Sequence, residues 1–214
     1  MRKIKAVIFD MDGVLIDARE WHYDALNRAL GLFGFAISRY DHLVTYDGLP
    51  TKKKLEMLSR EHGLPAKLHG FLNELKQVYT GEIVHALCKP RFQHEYALSR
   101  LKASGYRLGV ASNSVRRSIE LMMDKSALAG YLDAVVSNQD VVRAKPDPEI
   151  YRKAMTLLKV EPEETLVVED NAHGIAAARA SGANVMVVAD PNDVTWDRIL
   201  KSISAAEATG GAGK

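Results

Sequence analysis

Asp10 and Asp12 stand one residue apart at the end of the apolar run Val7-Ile8-Phe9, with Gly13 directly behind them. Two carboxylates this close repel each other unless a cation or a shared proton sits between them. The pair therefore points to Mg²⁺, a hard cation that takes oxygen ligands, with one carboxylate left for nucleophilic or proton-transfer work. The same two residues also suit a turn or a cap, where aspartate is common. The run before them lacks polar alternation and reads as a buried strand. Such a strand delivers Asp10 to its carboxyl end, where open α/β sheets bind ligands.

Further groups of residues carry related chemistry. Ser112-Asn113-Ser114 ends a second apolar run and precedes a helix-like segment. It fits an N-cap, and a helix start with a hydroxyl and unpaired N–H groups is also an anion site. Lys145 lies in Arg143-Ala144-Lys145-Pro146-Asp147-Pro148. A lone lysine is by default a solvated surface residue, but here two prolines hold the turn and start a helix. Glu169-Asp170 ends a third run, followed by Asn171-Ala172-His173-Gly174. Adjacent acids suit a helix start. Together with Asp10 they also make an oxygen-rich set suited to Mg²⁺. His173 reads as a polar cap residue.

The elements that must position these groups follow from patterning. Lys5–Asp10, Arg107–Ser112, Ala134–Ser137, Leu166–Asp170 and Val185–Val188 read as strands, and Ser114–Ser126, Pro148–Leu158 and Gly174–Ser181 as helices. Alternation of this kind implies parallel strands joined by right-handed crossovers. Strand ends then share one edge, and the distant groups converge there. Residues 17–89 interrupt this pattern. Trp21, Ala25, Ala29 and Leu32 recur at helical spacing, as do Leu55 and Leu58, with Gly48-Leu49-Pro50, Gly63-Leu64-Pro65 and Gly70 as punctuation. The expected organisation is an α/β domain of residues 1–16 and 90–214, with a helical domain of residues 17–89 inserted after the first strand. Lys89-Pro90-Arg91 reads as the return hinge, and the small, Gly-rich tail 205–214 as frayed.

Bulk properties narrow the function. The chain has 214 residues and a net charge of +2, which gives no electrostatic case for nucleic acid or an anionic membrane surface. The lone Cys88 rules out an internal disulfide framework, fits a reducing compartment, and reads as buried and inert. The apolar stretch after the charged N-terminus is too short for a signal segment, and no run approaches the ~20 apolar residues of a membrane span. The expectation is a cytoplasmic monomer with a small-molecule partner.

Asp10-Met11-Asp12-Gly13-Val14-Leu15, Ser112, the Lys145-Pro146-Asp147-Pro148 run and Glu169-Asp170, in this order and over residues 4–188, resemble the motifs of the haloacid dehalogenase superfamily. The closest resemblance is to its phosphatase and β-phosphoglucomutase-like branch. That resemblance implies a Rossmann-like core with a helical cap that closes over the active site. It implies Asp10 as nucleophile through an aspartyl-phosphate, and Asp12 as general acid and base. It further implies Ser112 and the Asn113 amide as phosphate-binding groups, and Lys145 as the ammonium balancing Asp10 and the phosphoryl oxygens. Mg²⁺ falls to Asp10, the Asp12 carbonyl and Asp170, with Glu169 binding directly or through water. The second aspartate separates phosphatases and mutases from the dehalogenases proper, which lack an acid there.

The inserted segment matches less well. Glu20 and His22 fall where the mutases have a substrate-side pair, but Ala18 replaces their threonine. Asp47 and Thr51 replace a lysine and an arginine around the glycine turn. Lys52-Lys53-Lys54 follows at once and reads as a solvated helix face. Without a second phosphate clamp, water becomes the natural acceptor. The expected activity is therefore Mg²⁺-dependent hydrolysis of a small phosphate ester, such as a sugar or polyol phosphate. A phosphosugar mutase is the alternative, ahead of a non-catalytic regulatory protein.

Overall fold

The computed structural model describes residues 3–209. Strands β1 (Ala6–Phe9), β2 (Arg107–Ala111), β3 (Ala134–Val136), β4 (Thr165–Glu169) and β5 (Asn184–Val187) form one sheet in the order β3-β2-β1-β4-β5, parallel throughout. This is the α/β architecture that the alternation predicts. The four residues of β1 are all buried, as a central strand covered on both faces requires. All five expected strands overrun by one residue at their carboxyl ends, at Asp10, Ser112, Ser137, Asp170 and Val188. The ladder explains the first two: the Asp10 amide still donates to Val168 O (3.0 Å) and the Ser112 amide to Val136 O (3.0 Å), while their side chains lie at the sheet edge.

The helices are α1 (Arg19–Gly31), α2 (Arg39–Asp41), α3 (Thr51–His62), α4 (His69–Leu87), α5 (Phe92–Ala103), α6 (Arg116–Lys125), α7 (Glu149–Leu158), α8 (Ala172–Ser181) and α9 (Trp196–Thr209). A π-helical turn, His42–Tyr46, continues α2. Ile150, Tyr151, Ala154, Met155 and Leu158 form one stripe along α7 and pack on Ala6, Ile8, Ala111, Val136 and Val167. Burying each of the larger apolar side chains there stabilises by about 1.5–3 kcal/mol. α5 packs on β2 and on α9, which covers β4 and β5.

Helix ends follow their caps. α8 starts two residues before the expected Gly174, because Asn171 Oδ1 accepts from the His173 amide at 3.0 Å. His173 is thus a first-turn residue, and Asn171 is the cap. The expected fraying is corrected for residues 205–209, which are helical. Buried Ile199 and Ile203 anchor α9, and Glu207 Oε1 accepts from the Ile4 amide at 3.0 Å. The rest of that tail, residues 210–214, lies outside the described residues.

Asp140 ties down the segment after β3. Its Oδ2 accepts from the Ser137 amide (2.8 Å), Ser137 Oγ (2.6 Å) and Arg116 Nη2 (2.6 Å). Partial burial would raise its carboxyl, but the Ser137 and Arg116 bonds hold it below the usual range. Asp140→Ala should cost about 1–3 kcal/mol in urea unfolding at neutral pH. A depressed carboxylate stabilises fully above its unfolded pKa and loses that contribution as pH falls through its folded one. The deficit should therefore fade below the ordinary aspartate value of 3.8. A variant as stable as the parent at pH 7 would contradict this.

The chain divides into two compact units, Ala18–Cys88 and the residues on either side of it. Within Ala18–Cys88, α1 and α3 each pack on α4, around Leu26, Ala29, Leu30, Ile37, Leu55, Leu58, Leu64 and Leu72. Leu32 departs from its expected place in the stripe and is 63% exposed, because α1 ends before it. Gly63, at φ +71, closes α3 in the left-handed cap that the Gly-Leu-Pro punctuation predicts. Lys52 and Lys53 are exposed as expected, but Lys54 is buried. It shares a helix face with buried Leu58, four residues on. Among the described residues no helix is long and apolar enough to cross a membrane.

Candidate active site

Asp10 is the first residue beyond β1, and Glu169 is the last residue of the neighbouring β4. Lys145, from the segment between β3 and α7, joins them. Its Nζ lies 2.7 Å from Asp10 Oδ1 and 2.6 Å from Glu169 Oε1. All three residues are buried. Tyr151, on α7, donates its hydroxyl to the same Glu169 Oε1 at 2.6 Å, and its ring lies 4.8 Å from Lys145 Nζ. Glu169 Oε2 accepts from the amides of Asp170 (3.0 Å) and Asn171 (3.2 Å). Glu169 is therefore clamped at both oxygens, and it fixes Lys145 against Asp10.

The electrostatics are those of a crowded acidic site. Burial pushes the Asp10 carboxyl well above the usual range, helped by Glu169, Asp12 and Asp170 and opposed by Lys145. Burial alone would lower the Lys145 ammonium, but Asp10 and Glu169 outweigh it and push it up. Lys145 is thus a cation at neutral pH, and the site gathers more carboxylates than cations. Asp10, Glu169 and Asp170 can each offer an oxygen, all within 4.8 Å of one another. Three hard oxygen donors short of positive charge fit Mg²⁺.

Asp12 is held through its side chain: Ser114 Oγ donates to its Oδ2 at 2.8 Å. Its backbone forms a tight loop in which the Gly13 amide donates to Ile16 O at 2.7 Å. Gly13 has φ +86, and a Cβ there would overlap the Asp170 carboxylate. Ser112 is buried beyond β2, with its Oγ accepting from the Ser114 amide at 3.1 Å. Asn113 laces the Lys145 backbone, with Oδ1 accepting from the Lys145 amide at 3.1 Å. The expected core residues Asp10, Asp12, Ser112, Asn113, Lys145, Glu169 and Asp170 thus share one edge of the sheet.

Sequence reasoning missed Tyr151, Ser114 as the holder of Asp12, and Gly174. A tyrosine inside an amphipathic helix carries no local sign of its partner. Gly174 sits in the first turn of α8, where a Cβ would overlap the Glu169 carboxylate. Gly174→Ala should displace Glu169 and with it Lys145. We expect a stability loss of about 1–3 kcal/mol from overpacking, with a fall in turnover. Unfolding and turnover both at parental values would contradict the contact.

Within Ala18–Cys88 the tentative specificity residues each make their own contacts. Glu20 accepts from Arg39 Nη2 at 2.9 Å in an exposed ion pair. Asp47 pairs with Arg19 Nε at 3.2 Å. His22 Nδ1 lies 3.0 Å from Lys76 Nζ. Thr51 opens α3.

A family model described as haloacid dehalogenase-like hydrolase matches residues 7–188. The chain is 30% identical over 201 residues to a protein of Bacillus thuringiensis (strain Al Hakam) named pyrophosphatase PpaX, covering 87% of this chain and 83% of that one. Its fold resembles β-phosphoglucomutase from Clostridium difficile, with a TM-score of 0.83 and 20% identity over 96% of this chain and 99% of that one. It also resembles CbbY from Rhodobacter sphaeroides, with a TM-score of 0.80 and 23% identity over 86% and 85% of the two chains.

Proposed function

This chain belongs to the haloacid dehalogenase-like hydrolases, and from that premise we propose that it is a Mg²⁺-dependent phosphatase of small phosphate esters. The observation that carries the reading is the buried Asp10 carboxylate, held 2.7 Å from the Lys145 ammonium beside Glu169. A carboxylate so placed is an oxygen nucleophile with a fixed cation alongside, as phosphoryl transfer demands.

In this reading Asp10 attacks phosphorus and forms an aspartyl-phosphate. Asp12, oriented by Ser114, protonates the departing oxygen and then takes a proton from the water that releases phosphate. Ser112 and the neighbouring backbone amides bind the phosphoryl oxygens. Lys145 offsets the charge that develops between those oxygens and Asp10. Mg²⁺, when bound by Asp10, Asp170, the Asp12 carbonyl and Glu169, directly or through water, supplies further charge neutralisation. Glu169 and Tyr151 keep the ammonium in place.

Water as acceptor is favoured over a second sugar hydroxyl because Asp47 and Thr51 stand where a mutase carries basic residues. The expected ester is a sugar or polyol phosphate. A second reading, hydrolysis of inorganic pyrophosphate, is favoured by the name of the 30%-identical Bacillus relative. A phosphate-release screen over sugar, polyol and hydroxy-acid phosphates and pyrophosphate, with Mg²⁺ and with chelator, separates the two. Conversion of glucose 1-phosphate to glucose 6-phosphate without phosphate release would replace both with a mutase.

A further inference from the structure

We propose that the side chain of Asn113 is a positioning residue for Lys145. It grips the Lys145 backbone at both N–H and C=O, and so sets the root of the lysine whose ammonium meets Asp10. The part that this ammonium plays in phosphoryl transfer rests on the phosphatase reading. The grip itself rests on hydrogen bonds within the unit that holds the sheet.

Asn113 Oδ1 accepts from the Lys145 amide at 3.1 Å, and Asn113 Nδ2 donates to the Lys145 carbonyl at 3.5 Å. Chemistry fixes the direction of each bond. A backbone N–H only donates and a carbonyl only accepts, so the oxygen of the side-chain amide faces the first and its nitrogen the second. The side chain thus stands in for a strand neighbour beside a residue that lies in no strand or helix. Asn113 is itself anchored just beyond β3. Asn138 Nδ2 donates to Asn113 O at 2.8 Å, and the Asn138 amide donates to Ser114 O at 3.2 Å. The turn after β2, the end of β3 and the lysine loop are therefore tied together through Asn113.

Lys145 needs such a hold. A lysine is a point charge on a flexible four-carbon stem. Asp10 and Glu169 fix its tip, at 2.7 and 2.6 Å. Its root lies in a loop outside the five strands, and Asn113 supplies there the partners that a sheet ladder would give. A misplacement of about 1 Å at a reacting centre can cost roughly 10²-fold in rate, so the root matters as well as the tip. Asn113 then has two separable duties. Its backbone amide serves the phosphoryl oxygens in the phosphatase reading, and substitution leaves that amide in place. Its side chain serves Lys145, and substitution removes that service.

The test pairs kinetics with NMR on the full chain. With p-nitrophenyl phosphate and Mg²⁺, Asn113→Ala should lower kcat about 10–100-fold and leave KM little changed. Lys145→Met removes the ammonium. Adding Asn113→Ala to it should cost less than about twofold more, because a residue that acts through Lys145 then has nothing left to position. In excess chelator, the Lys145 ammonium should give a slowly exchanging ¹H–¹⁵N resonance that is absent in Lys145→Met. That resonance should move or broaden in Asn113→Ala. An unchanged resonance, or full additivity of the two substitutions, would overturn the proposal. In the parent, the Lys145 amide should be protected from solvent exchange and show a coupling across the bond to Asn113 ¹³Cγ. Fast exchange without that coupling would overturn the proposal even if Asn113→Ala does not fold. Should the parent release phosphate from no ester, the phosphatase reading falls, while the ammonium resonance and the Lys145 amide still decide the grip.

Discussion

Asp10→Asn should abolish turnover and leave the sheet intact. Asparagine keeps the shape of the side chain but has no anionic oxygen to attack phosphorus. Loss of a catalytic nucleophile removes roughly 10⁴-fold or more of the rate. The effect on folding should run the other way. Burial and the neighbouring carboxylates raise the Asp10 carboxyl in the folded state. A raised carboxyl is tolerated below its unfolded pKa, and its ionised form disfavours the fold as pH rises through the folded value. At neutral pH in chelator, the neutral amide should therefore melt no lower than the parent. Mg²⁺ should raise the melting temperature of the parent, because a ligand that binds only the folded state stabilises it. That response should shrink in Asp10→Asn. A variant that retains turnover, or that loses its fold, would contradict the assignment.

The second large effect is expected at Asp12. Ser114 Oγ holds Asp12 Oδ2 at 2.8 Å, which suits a side chain that passes a proton at a fixed place. Asp12→Asn should slow hydrolysis of an alkyl phosphate by roughly 10²–10⁴-fold, the usual contribution of a general acid or base. An aryl phosphate with a good leaving group needs little protonation, so its first step should suffer much less. The second step still needs a base to activate water, and phosphorylated protein should accumulate. A stopped-flow burst of the aryl alcohol followed by slow release of phosphate is the expected record. Equal losses with both esters, and no burst, would remove Asp12 from the proton-transfer role.

The core was legible because strand ends in a parallel sheet share one edge. Asp10, Ser112 and Glu169 are far apart in the chain, yet each sits at an apolar run's end, and that alone predicts their meeting. Lys145 was legible through its prolines. What the sequence hid were contacts made across the fold. Tyr151 reads as a core residue of α7, and only packing turns its hydroxyl onto Glu169. Gly174 reads as a helix residue, and only the approach of Glu169 explains its missing side chain. The helical unit was harder still. Lys54 reads as one of three solvated lysines, but the helix turns it inward with Leu58.

The central claim is that phosphoryl transfer passes through a covalent bond to Asp10. Borohydride reduces an acyl phosphate to an alcohol and leaves a free carboxylate untouched. Quenching Asp12→Asn during turnover of an aryl phosphate, reducing with borohydride and mapping the peptides by mass spectrometry reads that bond directly. The account predicts homoserine at position 10 and unmodified aspartate elsewhere. Aspartate unchanged at position 10 while phosphate is still released, or modification at another residue, would contradict it.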